Sequence, residues 1–419
     1  MFSIVHHLRN RHSFSLKSQG SSMLPILRPD DVMYYQKTSF RQCKTNDIIM
    51  VKKNGNIFTH RIIYICKRWF KTVPYLITKG DNNLESDGRI YSKQIIAKVV
   101  EVKRNSKRFD PENLYLLQST LYFQAIVKIK KRFERAKIDF VFLKGLPLHL
   151  YYEKSHPRRI YLDCDVLVKP EDFSKAQKIL FDCGYEKAQT ELSASHAKIK
   201  DKESENAYYK IINGFSVVFD LHLEAVFMMT QLGKLEALYP QAFIDQLTQN
   251  FLETKRKVKI NNELFWILDT EYLILYLVLH FFHHNFRGAF RLEFLDKIIV
   301  RACRERNDIL LDVSRRIKQY QLQNFVYPVF LLLKKYYQTP IPSRFLRSIK
   351  LSSSTLNYLG SIFDDEPRIS AGITRFKNLF FLSPNPLWRK LFVLINPQVL
   401  YSIFWIFQRR VFSFFSNRQ

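Results

Sequence analysis

The first hundred residues alternate short β-branched and aromatic runs with turn residues. Runs at 47–51, 57–65, 75–78 and 95–102 predict four strands, spaced as in a compact antiparallel β domain. Asn54 and Gly55 fall between the first two runs, and both residue types tolerate positive φ. A tight hairpin is therefore predicted, with His60 on its second strand. Beyond Val102 the pattern stops in a basic stretch, 103–112, that contains Pro111 and has no apolar period, so it reads as a linker. From Leu116 to Phe133 apolar residues recur at helical spacing, followed by a strand at 139–143 and a helix at 148–153. A strand at 158–168, a helix at 170–180 closed near Gly184, and a strand at 215–222 come next. From Glu271 onward the pattern is helical.

These elements predict a multidomain chain: a mostly antiparallel β domain at 1–103, a linker at 104–113, an α/β domain at 114–300 and a helical region at 301–419. A length of 419 residues suits more than one domain, and 47% hydrophobic with 25% charged residues suits globular folding. The charge changes the picture more. Lys and Arg total 66 against 38 Asp and Glu, a net +28 that attracts nucleotides, polyanions or an anionic membrane surface. Basicity alone is blind to sequence, and A/T-rich coding also enriches Phe, Lys, Ile, Tyr and Asn, so nucleic acid is not the favoured partner. Five cysteines without a C-x-x-C pair indicate neither a disulfide framework nor a zinc ribbon. His6, His7, Arg9, Arg11 and His12 interrupt the N-terminus, which lacks the apolar core of a signal peptide or spanning helix. The expected location is the cytoplasm.

Three polar clusters punctuate the β region: Gly20-Ser-Ser-Met-Leu-Pro25, Thr59-His-Arg61, and Thr78-Lys-Gly-Asp-Asn-Asn83 with Asp87 beyond. Their order resembles the superfamily of signal peptidase I and the SOS-repressor peptidases, over roughly residues 18–102. The resemblance implies a serine endopeptidase needing no cofactor, with a peptide or protein substrate. Ser22 would be the nucleophile, and His60 stands where the bacterial enzymes carry a lysine. A neutral imidazole can take the serine proton, and a carboxylate would then fix its tautomer. Asp87 and Asp81 both match family aspartates; Asp87 is the favoured orienter and Asp81 the turn former. Backbone N–H groups near Ser22 would form the oxyanion hole. The residues before Ser22 cannot span a bilayer, which departs from signal peptidases and argues against removal of secretory signals at the outer membrane face.

In the second half, Asp163 and Asp165 lie two apart in a predicted strand and so share a face. Two carboxylates there repel unless a cation lies between them, and such oxygen ligands suit Mg²⁺. Asp220, on a later strand, offers a third. Together with Phe-Leu-Lys-Gly at 142–145, a helix ending in Gly-Tyr, and Val-Phe-Asp-Leu-His at 218–222, the segment resembles an uncharacterised branch of polymerase-beta-type nucleotidyltransferases, over roughly 117–300. The resemblance implies Mg²⁺ held by Asp163, Asp165 and Asp220, with Asp220 also activating the acceptor hydroxyl, and a nucleoside triphosphate as substrate. Lys144 and Gly145 match the family's Lys-Gly element, although related enzymes have Gly-Ser there. Arg158 and Arg159 are candidate phosphate contacts, since guanidinium can bind phosphate bidentately.

His280, His283 and His284 share a helix face as metal ligands can, or else simply border a cleft or pack. The apolar stretch 391–407, broken by Pro397 and flanked by arginine and lysine, reads as a docked helix or as a helix lying on the inner face of an anionic membrane. The whole thus reads as a bifunctional peptidase and nucleotidyltransferase. The alternatives are a peptidase carrying a non-catalytic nucleotidyltransferase-like domain, or an inactive basic protein that binds nucleic acid or membrane.

Overall fold

The computed structural model describes the chain except residues 1–11, 21, 24–25, 67–72, 82–85, 105, 112, 154–160, 162, 189–204, 214, 226–234, 287–288, 352–354, 359–370, 398 and 401–419. The chain divides into two compact units, one of residues 1–125, 156–162 and 211–217, the other of 126–155, 163–210 and 218–419.

The first unit is built on an antiparallel sheet of β1 Ser13–Lys17, β2 Val32–Lys37, β3 Ile48–Lys53, β4 Asn56–Cys66, β5 Tyr75–Lys79, β6 Arg89–Tyr91, β7 Ile95–Arg104 and β8 Lys107–Phe109. The spatial order is β1-β2-β7-β3-β4-β5-β6, with β8 paired to β7. Successive side chains of a strand point to opposite faces, and β3 shows the consequence. Ile48 and Met50 join one apolar cluster with Met23, Leu27 and Tyr35, while Ile49 and Val51 join another with Ile62 and Leu76. The predicted hairpin forms between β3 and β4, where Lys53 pairs with Asn56 and Asn54 and Gly55 take φ of 50° and 82°.

The stretch read as a linker is partly sheet. β7 continues to Arg104, and Lys107–Phe109 folds back on it, Phe109 opposite Val102. The charge of Arg104 disguised an inward-facing position: its guanidinium is buried against Asp31, with Nε–Oδ1 2.8 Å and Nη2–Oδ2 2.7 Å.

Helix α1 Leu114–Arg135 follows, with Tyr122, Ile126, Ile129 and Phe133 buried at helical spacing. A mixed sheet then takes strands β9 Phe140–Phe142, β10 Cys164–Val168, β11 Glu186–Lys187, β12 Glu205–Ile212, β13 Phe215–His222, β14 Arg256–Ile260 and β15 Glu263–Ile267. The order is β11-β12-β13-β10-β9-β15-β14, with β10 parallel to β13 and antiparallel to β9. Between these strands lie α2 Leu146–Glu153, α3 Phe173–Asp182 and α4 Gln241–Glu253. α3 ends as its sequence predicts. Gly184, at φ 78°, allows Tyr185 N–H to reach back to the Leu180 carbonyl at 3.0 Å.

The C-terminal part is helical: α5 Thr270–His283, α6 Ala289–Glu305, α7 Ile309–Gln319, α8 Gln323–Tyr337, α9 Ser343–Ser348, α10 Ala371–Leu382 and α11 Leu387–Leu391. α5 is buried from Glu271 to Leu279 and packs against α6, α7 and α8. The boundary expected at residue 300 therefore falls inside α6, within one helical assembly. Among the described residues no helix is long and apolar enough to cross a membrane. Of the apolar segment 391–407, residues 392–395 form a short 3-10 turn and those from 401 lie outside the described residues.

Candidate functional site

Strand β9 delivers the chain to Lys144 and Gly145 beside the start of β10, and Leu143 N–H donates to the Asp165 carbonyl at 3.0 Å. Gly145 has φ of 108°, and a Cβ there would meet the Asp163 carbonyl oxygen at 3.4 Å and the Cys164 Cα at 3.5 Å. Glycine serves the left-handed backbone here, since those distances are ordinary contacts. Asp163 lies one residue before β10 and Asp165 is inside it, in register with Asp220 on the parallel neighbour β13. One ligand atom from each of Asp163, Asp165 and Asp220 lies within 4.8 Å of the others.

Burial sets Asp165 apart from Asp163 and Asp220. The Asp163 side chain is 40% exposed and that of Asp165 only 4%, so the cluster opens toward solvent on the Asp163 side. Lys144 Nζ sits on both, donating to Asp163 Oδ2 at 2.7 Å and lying 3.1 Å from Asp165 Oδ2. Burial alone would lower the Lys144 pKa, but Asp163 and Asp165 more than reverse this and hold the ammonium above its ordinary range. Burial likewise opposes ionisation of Asp165, and Lys144 first, then His222, bring it below the usual carboxylate range. Asp165 Oδ1 is buried and accepts no hydrogen bond among the described residues. Hard oxygen donors so grouped, one carrying an unused lone pair, fit a small divalent cation such as Mg²⁺.

Two more side chains reach Asp165 that motif reasoning did not assign to the site. Tyr276, from the buried face of α5, donates its hydroxyl to Oδ2 at 3.1 Å. His222 Nε2 lies 3.6 Å from the same oxygen. The signal available for Tyr276 was its place one helical turn before His280 on a largely apolar helix, where a polar atom needs a partner.

The three histidines of α5 do not form a metal-ligand group; the acidic trio is the one such group among the described residues. The reason is that two of them satisfy each other. His280 Nε2 and His284 Nε2 are 3.2 Å apart, so one ring donates and the other accepts. Burial, with Lys144 next for His280 and Arg291 next for His284, pushes both far below the ordinary imidazole range and keeps the pair neutral. Arg158 and Arg159 lie outside the described residues.

The first unit holds a separate constellation. Met23, Ile26 and Leu27, which follow Ser22, are buried. This loop is pinned at its base, where Ser18 N–H donates to the Asp31 carbonyl at 2.7 Å and Arg104 Nη2 donates to the Ile26 carbonyl at 2.6 Å. Ser22 Oγ lies 2.9 Å from His60 Nε2, and His60 Nδ1 lies 2.8 Å from Asp87 Oδ2. Thr78, one strand away on β5, donates its hydroxyl to the same Asp87 oxygen at 2.7 Å. His60 is buried and Ser22 half-buried. Asp81 is not part of this chain of hydrogen bonds: both its oxygens accept from Arg61, each at 2.8 Å, which pins the turn after β5.

A family model described as an uncharacterised nucleotidyltransferase matches residues 112–338, more than half of the chain. The match includes all three aspartates and Lys144. The N-terminal sheet lies outside it, and the signal-peptidase resemblance finds no counterpart in these comparisons. No curated protein and no solved structure matches the chain.

Proposed function

Because the chain belongs to the uncharacterised nucleotidyltransferase family, we propose that it transfers a nucleotidyl group from a nucleoside triphosphate to an acceptor, at the site formed by Asp163, Asp165 and Asp220. The observation that carries the reading is the convergence of these three carboxylates within 4.8 Å beside the Lys144-Gly145 turn. A divalent cation held there would draw charge from the α-phosphate and stabilise the departing pyrophosphate. The chain's own residues do the rest. Gly145 lets backbone approach the site, Lys144 supplies an ammonium for phosphate oxygens, and Asp220 is placed to accept the proton of an acceptor hydroxyl. Tyr276 and His222 fix the orientation of Asp165. The test is transfer of label from an α-phosphate-labelled nucleoside triphosphate into macromolecular or small-molecule fractions. Asp163→Asn with Asp165→Asn should abolish it, and transfer undiminished in that variant would refute the assignment.

A second activity is favoured by a different observation, the hydrogen-bonded series Ser22, His60, Asp87. In this reading the first unit is a serine endopeptidase similar to the signal peptidase superfamily. Ser22 Oγ attacks a peptide carbonyl as its proton passes to His60 Nε2, which later delivers that proton to the leaving amine. Asp87, itself held by Thr78, accepts from His60 Nδ1–H and stabilises the imidazolium. Labelling by a fluorophosphonate probe that depends on Ser22 would support this, and equal labelling of Ser22→Ala would refute it.

A further inference from the structure

The acidic site already holds a cation belonging to the chain. Lys144 Nζ lies 2.7 Å from Asp163 Oδ2 and 3.1 Å from Asp165 Oδ2, with its side chain only 15% exposed. Those oxygens belong to carboxylates that would also hold a divalent ion. An ammonium within hydrogen-bond distance of two of them and a metal bonded to the same two would crowd like charges in a buried setting, where Coulomb repulsion is weakly screened. The two cations therefore compete for the same carboxylates. Lysine is suited to moving, because its charge rides on a flexible four-carbon stem.

We propose that Lys144 is an internal counter-cation that excludes the divalent ion until a nucleoside triphosphate arrives to receive its ammonium, so that metal and nucleotide bind cooperatively. This rests on the nucleotidyltransferase reading and adds an order to its binding events. With phosphate oxygens at hand, Lys144 exchanges one set of anionic partners for another and the carboxylates pass to the metal. Without them, metal entry must strand a buried ammonium, which opposes binding. Linkage makes the effect reciprocal: whatever factor the nucleotide adds to metal affinity, the metal adds to nucleotide affinity.

The test is Mn²⁺ binding to the full chain, followed by electron paramagnetic resonance, with no nucleotide present. Lys144→Met removes the competitor and should bind Mn²⁺ about 10-fold or more tightly than wild type. In parallel, calorimetry with a non-hydrolysable nucleoside triphosphate should show that Mn²⁺ strengthens nucleotide binding about 10-fold or more in wild type, and much less in Lys144→Met. Equal Mn²⁺ affinity in wild type and Lys144→Met overturns the proposal. Adding Asp165→Asn separates this from failure of the underlying reading: if Mn²⁺ binding ignores Asp165, the metal site itself is wrong. Should Lys144→Met not fold, Lys144→Arg decides. It keeps a cation between the carboxylates, so it must bind Mn²⁺ no more tightly than wild type, and tighter binding overturns the proposal.

Discussion

Asp165 and Asp220 lie in register across the parallel pair β10 and β13. Neither position alone distinguishes a metal site from an ordinary polar strand residue. Their registration brings two carboxylates together with Asp163 from the approach to the same strand, a cluster that could hold a metal ion. Substituting any one should leave the fold in place and remove the chemistry. Asp165→Asn and Asp220→Asn should each lower nucleotidyl transfer by about 100-fold or more, the scale seen when one electrostatic contributor to a transition state is lost. Pyrophosphate release together with far-ultraviolet circular dichroism checks both halves of that statement.

The Ser22 series makes a graded set of expectations. Ser22→Ala and His60→Ala should each abolish labelling by a serine-directed probe. Asp87→Asn leaves the shape but favours the wrong imidazole tautomer, and reactivity should fall by about 10⁴-fold. Thr78→Val should have a smaller effect, since Thr78 acts only through Asp87. Rates of labelling measured for the four variants check the ranking.

The loop that carries Ser22 depends on a buried ion pair whose arginine lies far from it in sequence. Asp31 and Arg104 are 3% and 6% exposed at their side chains, and Arg104 also holds the Ile26 carbonyl. Asp31→Ala leaves a buried guanidinium without its carboxylate, so the first unit should lose about 3–5 kcal/mol. Replacing both residues with apolar ones should cost less, for the same reason. Chemical denaturation of the single and double variants measures the difference.

Two glycines with left-handed backbone differ in what lies beside them. Gly55 has φ of 82° with open space where a Cβ would go, so Gly55→Ala should cost only the left-handed backbone penalty, about 1–2 kcal/mol. Gly145 has φ of 108° beside the acidic cluster, so an alanine there would strain the backbone that leads to Asp163 and Asp165. Gly145→Ala should therefore impair transfer as well as stability. Thermal melts and transfer assays run side by side distinguish the two.

How far the sequence disclosed this molecule depended on whether a feature was local. The β3–β4 hairpin was legible because Asn54-Gly55 carries its own conformational preference, and the acidic trio because Asp163 and Asp165 lie two residues apart near a strand. The inward position of Arg104 was not legible. A charged residue reads as solvated, and its partner Asp31 lies 73 positions away. The same holds for Tyr276, which meets Asp165 across 111 positions. The three histidines of α5 shared a face as their spacing required, but spacing could not show that His280 and His284 would satisfy each other.

The most direct test of the central claim is a crystal of the protein grown with Mn²⁺ and a non-hydrolysable nucleoside triphosphate, examined at the manganese absorption edge. An anomalous peak bonded to carboxylate oxygens of Asp163, Asp165 and Asp220 and to the nucleotide phosphates is the expected result. Phosphates bound elsewhere, with no metal between the three carboxylates, would contradict the account.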